Sequence, residues 1–142
     1  MKALQILPLL AVSWLIYAVL TLGQIGVAGT PWVFADIYTV ALPSDDAWII
    51  RGGDVFLVAS IGFLFVELLR ATRTDTSTLA NHFFSFVLFL ACLFPFIFMK
   101  GFGNSYFFLF MTMTFLDAMA GMVITTVTAR RDFSVTDGVG GN

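Results

Sequence analysis

The sequence is poor in charge and in the side chains that most often perform chemistry. Charged residues make up 11% of the 142 residues, whereas an average soluble domain is about a quarter charged. The net charge of −2 indicates no basic patch that could neutralise phosphates, which argues against binding to nucleic acid. Because Cys92 is the only cysteine, an internal disulfide cannot form.

The single histidine, His82, limits the metals and cofactors that this chain can hold by itself. Bis-histidine haem ligation needs two histidines, and one histidine ten residues before one cysteine does not have the spacing of zinc ligands. The sequence also contains no nucleophile elbow, no phosphate-binding glycine loop and no HExxH motif. We therefore predict no cofactor, no metal and no catalytic residues, in a protein that is not an enzyme.

Apolar residues are abundant: they make up 59% of the chain, and 17 of them are Phe. A helix needs about 20 apolar residues to cross the hydrocarbon layer, and unpaired backbone groups are costly there. Four segments meet this requirement, at about residues 4–28, 48–69, 79–99 and 106–129. The sequence thus predicts an all-α integral membrane protein: a single four-helix transmembrane domain over residues 1–131, followed by a flexible cytoplasmic tail, residues 132–142.

The connections between these four segments differ in kind. Residues 29–46 start with a Thr-Pro pair typical of a helix start, and they contain three aromatic residues, Trp32, Phe34 and Tyr38. We predict a short interfacial helix there, between helices 1 and 2. The glycine-rich turn at residues 100–105 predicts that helices 3 and 4 form an antiparallel hairpin.

Lysine and arginine are distributed unequally between the two sides of the predicted bundle. Five lie on the side of both termini, and two on the other: Lys2, Arg70, Arg73, Arg130 and Arg131 against Arg51 and Lys100. Because positive residues concentrate in cytoplasmic loops, both termini are predicted to be cytoplasmic, and we interpret the chain as a bacterial inner-membrane protein. An alternative is that residues 1–29 are a cleaved signal peptide.

A carboxylate, Asp117, falls near the centre of the fourth apolar segment. Its insertion costs about 2.5–3.5 kcal/mol, so an ionisable residue at that depth is a hypothesis of function. Aligning the basic residues at the ends of helices 2 and 4 puts Asp117 level with about residue 57, within reach of the start of helix 2. We predict one intramembrane polar cluster made of Asp117, Thr114, Arg51 and Asp54.

Small residues predict where helices approach closely, and a further pair of charges predicts an interfacial contact. The predicted helix-packing seam contains Gly121, Ala118, Gly62, Gly23 and Gly26. Glu67 and Arg70 are three residues apart on helix 2, and we interpret them as an ordinary surface pair at the membrane interface.

Three functions remain open from the sequence. The leading prediction is a small non-enzymatic accessory, assembly or structural subunit of a larger membrane complex, with the lipid bilayer and either a larger complex or a second copy as partners. The alternative is a proton- or cation-linked small oligomeric transporter that uses Asp117. A second alternative is a quinone- or lipid-binding membrane subunit.

Overall fold

The computed structural model describes residues 7–71 and 76–136, with side chains described at residues 7–70, 81 and 83–123. This part of the chain is mostly helical. The four helices are α1 (Leu10–Leu22), α2 (Gly52–Ala71), α3 (Thr76–Phe98) and α4 (Ser105–Thr136). Between α1 and α2 lie four short strands, β1 (Gly26–Val27), β2 (Thr30–Pro31), β3 (Asp36–Ala41) and β4 (Ala47–Arg51), and one 3₁₀ turn (Trp32–Phe34).

Two of the four helices are long and apolar enough to cross a membrane. The apolar parts of α2 and α4, Gly52–Arg70 and Ser105–Val123, have 19 residues each, or about 28 Å of helix. This length is close to the roughly 30 Å of a hydrocarbon core. In contrast, α1 has 13 residues and is about 20 Å long.

Helices α3 and α4 form an antiparallel hairpin, as the sequence predicts. Phe89 stacks on Phe115 with 5.2 Å between ring centroids, and Phe96 stacks on Phe108 at 5.8 Å, so residues later in α3 meet residues earlier in α4. The turn between them contains Gly101 at a φ of +88°, a conformation that glycine adopts without steric cost.

The first helix ends at Leu22, before the predicted end at residue 28. Gln24 has a φ of 52°, and both Ala28 (49°) and Gly29 (82°) are also left-handed, which a continuing right-handed helix does not allow. Positive φ at both central residues is what a type I′ hairpin turn requires, and β1 pairs with β2 around Ala28 and Gly29. The glycine-rich sequence is therefore a turn and not the end of a membrane helix.

The predicted interfacial helix is wrong except for the 3₁₀ turn. Most of residues 36–51 form an antiparallel hairpin of β3 and β4, in which Tyr38 faces Ile50 and Val40 faces Trp48. Residues with β-branched or aromatic side chains favour strands over a helix, and both segments are rich in them. Helix α2 consequently begins at Gly52, after the predicted start at residue 48.

At its other end the bundle also differs from the predicted boundaries. Helix α4 continues to Thr136, so it includes residues 132–136 of the predicted tail. Residues 137–142 of that tail lie outside the described residues.

An aromatic cluster around Tyr17 joins the elements at one end of the bundle. This end carries the β3–β4 hairpin and the turn between α3 and α4, and we call it the hairpin end. The buried Tyr17 ring lies 4.7 Å from the ring of Phe107, 5.1 Å from Trp32 and 5.2 Å from Phe56. Its hydroxyl donates to the Gly101 carbonyl at 3.3 Å and accepts from Asn104 Nδ2 at 2.7 Å. This contact fixes α1 against the turn between α3 and α4.

Candidate functional site

Two residues of the predicted polar cluster, Arg51 and Asp54, lie at the hairpin end of α2. The Arg51 guanidinium donates through Nε to Asp36 Oδ1 at 3.1 Å, and the Arg51 backbone N–H donates to Asp54 Oδ2 at 2.7 Å. The pKa of Arg51 is raised mainly by a hydrogen bond to Tyr106 and secondly by the hydrogen bond to Asp36. Asp54 caps the start of α2, where a carboxylate is favoured by the helix dipole. The two residues thus hold β4 to the first turn of α2.

The other two residues, Asp117 and Thr114, lie far from this end. Gly53 of α2 packs against Tyr106 of α4, where a Cβ added to the glycine would lie 2.5 Å from the ring. Phe56 and Phe110 stack one turn further along, with centroids 5.2 Å apart. Asp117 follows Tyr106 by 11 residues, which is about 16 Å along the helix axis. The predicted cluster of four residues is therefore not formed.

The reason for this error is the alignment of the two helices by their terminal arginines. Such an alignment assumes that both helices end at the same depth. Helix α4 instead continues to Thr136, well past Arg130, whereas α2 ends at Ala71. The packing of Tyr106 on Gly53 sets the true register, and it places Asp117 nearer to the end of α2.

Glu67, near the end of α2, is buried inside the bundle and is 1% exposed. Its Oε1 accepts from the backbone N–H of Leu9 at 3.2 Å, and its Oε2 accepts from that of Leu10 at 3.4 Å. Asn81 Nδ2 of α3 donates to Oε1 at 3.3 Å. Glu67 thus caps α1, whose own N-cap residue, Leu9, offers no side-chain oxygen. Its interpretation as a surface partner of Arg70 is wrong.

Asp117 of α4 is a second acid that lies near Glu67 inside the bundle. It is also 1% exposed, and it lies close enough to Glu67 for the two carboxyl groups to interact electrostatically. We call Glu67, Asn81 and Asp117 the carboxyl cluster. It joins α2, α3 and α4 at the start of α1, and it places two acids close together in the interior of the bundle.

Other buried polar side chains tie helices together in pairs. Thr114 donates to the Met111 carbonyl at 2.7 Å and lies within hydrogen-bonding reach of the Cys92 thiol of α3. The Ser60 hydroxyl of α2 lies 3.0 Å from that of Ser13 in α1. Thr114 therefore belongs to the contact between α3 and α4, and not to a cluster with α2.

The structure divides the predicted helix-packing seam. Ala118 and Gly121 of α4 are buried. Gly62 is exposed, and a Cβ added there would meet nothing within 4 Å. Gly23 directly follows α1, and Gly26 lies in β1, where a Cβ would collide with the Thr30 carbonyl. These last three glycines do not line a groove between helices.

A cavity of 580 Å³ lies at the hairpin end of the bundle. It is lined by the end of α1 and the residues that follow it, by the 3₁₀ turn with Trp32 and Phe34, and by Lys100 and Gly101. Its size is typical of a small-molecule pocket. The cavity is at the opposite end of the bundle from the carboxyl cluster.

Metal ligation and relatedness to known proteins give no further indication of a function. Among the described residues, no three His, Cys, Asp or Glu side chains are grouped so as to hold a metal ion. Comparisons of the chain with protein-family models, with curated proteins and with solved structures found no match. The β3–β4 hairpin and the carboxyl cluster are the two features on which a function can be argued.

Proposed function

We propose that this chain is a non-enzymatic accessory or structural subunit of a larger membrane complex, with all four helices spanning the bilayer as one bundle. The observation that carries the proposal is the β3–β4 hairpin, which presents an apolar face at one end of the bundle. The partner is a protein subunit that covers this face.

The outer surface of the bundle supports a membrane environment. Large apolar side chains remain exposed along the helices, among them Val58 (69%), Phe65 (61%) and Phe98 (71%). A soluble monomer rarely exposes continuous apolar surface on this scale. Hydrocarbon tails or neighbouring transmembrane helices would cover these side chains.

The hairpin supports contact with a protein. Tyr38, Val40, Trp48 and Ile50 lie on one face because Tyr38 is paired with Ile50 and Val40 with Trp48. Tyr38 is 67% exposed and Trp48 is 54% exposed. A two-stranded hairpin is marginally stable alone in water, and its strand edges offer unpaired backbone groups. A protein partner can cover the apolar face and also pair with these edges, whereas hydrocarbon tails can only cover the face.

Photo-crosslinking in native membranes tests this proposal. With a photoreactive aromatic residue in place of Trp48, we expect one discrete cross-linked protein, identified by mass spectrometry. The same residue at Val58, on the exposed side of α2, serves as the lipid-facing control. Trp48→Ser should lower copurification of that protein several-fold because the central aromatic contact is lost. Ile49→Ser, on the other face of β4, should change it much less.

Two results would contradict the accessory role. One is a set of products from position 48 that match those of the lipid-facing control. The other is cross-linking only to a second copy of this chain. Either result would leave the hairpin as a lipid-contacting element or a homo-oligomer interface.

A second candidate function, a proton- or cation-linked small oligomeric transporter, is favoured by the carboxyl cluster. Intramembrane acids mark ion pathways in many transporters, and Asp117 and Glu67 are both buried between helices. If this function is correct, liposomes containing the purified protein should show a cation or proton flux that Asp117→Asn reduces at least tenfold. Asp45→Asn, an equal change of charge on the exposed hairpin turn, should leave the flux intact. Flux through both variants at the wild-type rate would exclude Asp117 from the pathway.

A further inference from the structure

The cavity of 580 Å³ at the hairpin end lies where the apolar helices stop. Helix α3 ends at Phe98 and the apolar part of α4 begins at Ser105, so in a membrane-spanning bundle Lys100 lies at the level of the membrane surface. Trp32, which also lines the cavity, is an aromatic residue of the kind that concentrates at this level. Most of the lining residues are exposed, so the cavity is open to a ligand from the membrane surface.

The lining carries a positive charge and no negative one. Among the residues that the structure describes, Lys100 is the one charged side chain that lines the cavity. The described side chains include the whole segment between α1 and α2 and the whole turn between α3 and α4, and none of them forms an ion pair with Lys100. Asp36, the acid nearest to the lining along the chain, is paired with Arg51 at 3.1 Å. Gln24 and Thr30 add hydrogen-bond donors to the lining. These groups suit an anion such as a phosphate group.

An exposed apolar stripe runs from the cavity along α1. Leu22 lines the cavity and is 59% exposed. Val19, Leu15 and Val12 follow it at steps of three, four and three residues, and each is at least 41% exposed. This spacing places the four side chains, which we call the α1 stripe, on one face of the helix. The α1 stripe is about 15 Å long, which matches one leaflet of a hydrocarbon core roughly 30 Å thick.

We propose that this cavity binds the headgroup of one anionic phospholipid, with the phosphate near Lys100 and an acyl chain along the α1 stripe. Basic pockets beside transmembrane helices hold anionic headgroups, and each lysine near the surface strengthens the attraction. The lysine side chain is long and flexible, so its ammonium group can turn to a phosphate in the cavity. A free phosphate would pair with Lys100 but leave the α1 stripe uncovered, whereas a lipid accounts for both features. The site rests on the membrane placement in the proposed function, and not on the protein partner.

Native mass spectrometry of the full chain, released from detergent micelles, tests the proposal with phosphatidylglycerol as the anionic probe. One copy of this lipid should be retained per chain, at a lower concentration than phosphatidylcholine with the same acyl chains. Phosphatidylglycerol with short acyl chains should bind more weakly, because it cannot cover the α1 stripe. Inorganic phosphate, the free-anion probe, should not displace the long-chain lipid. Equal retention of the two headgroups, equal retention of short and long chains, or displacement by inorganic phosphate would each overturn the proposal.

Matched variants assign the binding to the cavity. Lys100→Gln should weaken retention of phosphatidylglycerol about fivefold, the usual effect of one lysine near an anionic surface, and should change retention of phosphatidylcholine little. Arg70→Gln removes the same charge from an exposed residue near the opposite end of α2, and it should retain the lipid like the wild type. Equal weakening in both variants would show that the overall charge attracts the lipid, and the proposal would then be wrong.

The lipid measurement and the cross-linking from position 48 fail separately. Selective lipid retention without a cross-linked protein partner would remove the accessory role and leave the lipid site. A cross-linked partner without selective lipid retention would remove the lipid site and leave the accessory role. Absence of the chain from the membrane fraction of cells would remove both.

Discussion

Glu67→Leu is expected to lower the free energy of unfolding by about 3 kcal/mol or more. The substitution leaves the N–H groups of Leu9 and Leu10 and the amide of Asn81 without their acceptor, at a depth where water does not replace it. A buried donor that loses its partner costs about 1–3 kcal/mol, and three donors are affected here. The loss of a buried charge recovers part of this cost, which is why the expected value lies well below the maximum.

The measurement for this prediction is denaturant-induced unfolding in mixed micelles, compared among the wild type, Glu67→Leu and Glu67→Gln. Glutamine has nearly the same volume and keeps one oxygen as an acceptor, so it should lose less than half as much stability as leucine. Equal losses in the two variants would show that the charge of Glu67, and not its capping of α1, is what stabilises the fold. A loss below about 1 kcal/mol for Glu67→Leu would contradict the structural role altogether.

The surface assignment of Glu67 and the predicted cluster of Asp117 with Arg51 and Asp54 are wrong for different physical reasons. Glu67 has a helical spacing of 11 residues from Phe56 and of 7 from Ser60, and all three are buried. This periodicity is visible in the sequence and predicts that the Glu67 side chain points into the bundle. The spacing of three residues between Glu67 and Arg70 equally favours a surface pair, so the sequence of this one helix does not decide between the two. The register between α2 and α4 is different, because it depends on how Tyr106 packs on Gly53. No composition or spacing within one helix contains that information.

The helices and strands likewise divide into those that local sequence predicts and those that depend on contacts elsewhere in the fold. The turn between α3 and α4 is short and glycine-rich, so local sequence is sufficient to predict an antiparallel hairpin. The region from Gly23 to Arg51 is apolar enough to resemble a helix end followed by an interfacial helix. Its strands depend on left-handed backbone at Gln24, Ala28 and Asp45, and of these three residue types only Asp is enriched in that conformation. Tertiary contacts with the first turn of α2 then hold the segment in place.

Gly52→Ala should strongly disrupt the packing of the 3₁₀ turn on the start of α2. A Cβ at Gly52 would collide with the Trp32 carbonyl and lie 3.3 Å from a carbon of the Trp32 ring. The Gly52 N–H also donates to the Ala35 carbonyl at 3.1 Å, so the 3₁₀ turn lies directly on the start of α2. A backbone carbonyl cannot rotate away as a side chain can. We expect a loss of about 3 kcal/mol, at the upper end of the cost of overpacking.

The matched control is Gly62→Ala, in the same helix but with open space around the added methyl group. It should leave the free energy of unfolding unchanged or raise it by up to about 1 kcal/mol, because alanine favours a helix more than glycine does. Unfolding curves of both variants, together with limited proteolysis of residues 36–51, separate the two positions. Gly52→Ala should make the hairpin sensitive to protease and should also abolish cross-linking from position 48, since both depend on the hairpin being held against α2. If Gly62→Ala destabilises the protein as much as Gly52→Ala does, the loss does not come from the close contact between Gly52 and Trp32, and this explanation of the Gly52→Ala effect is wrong.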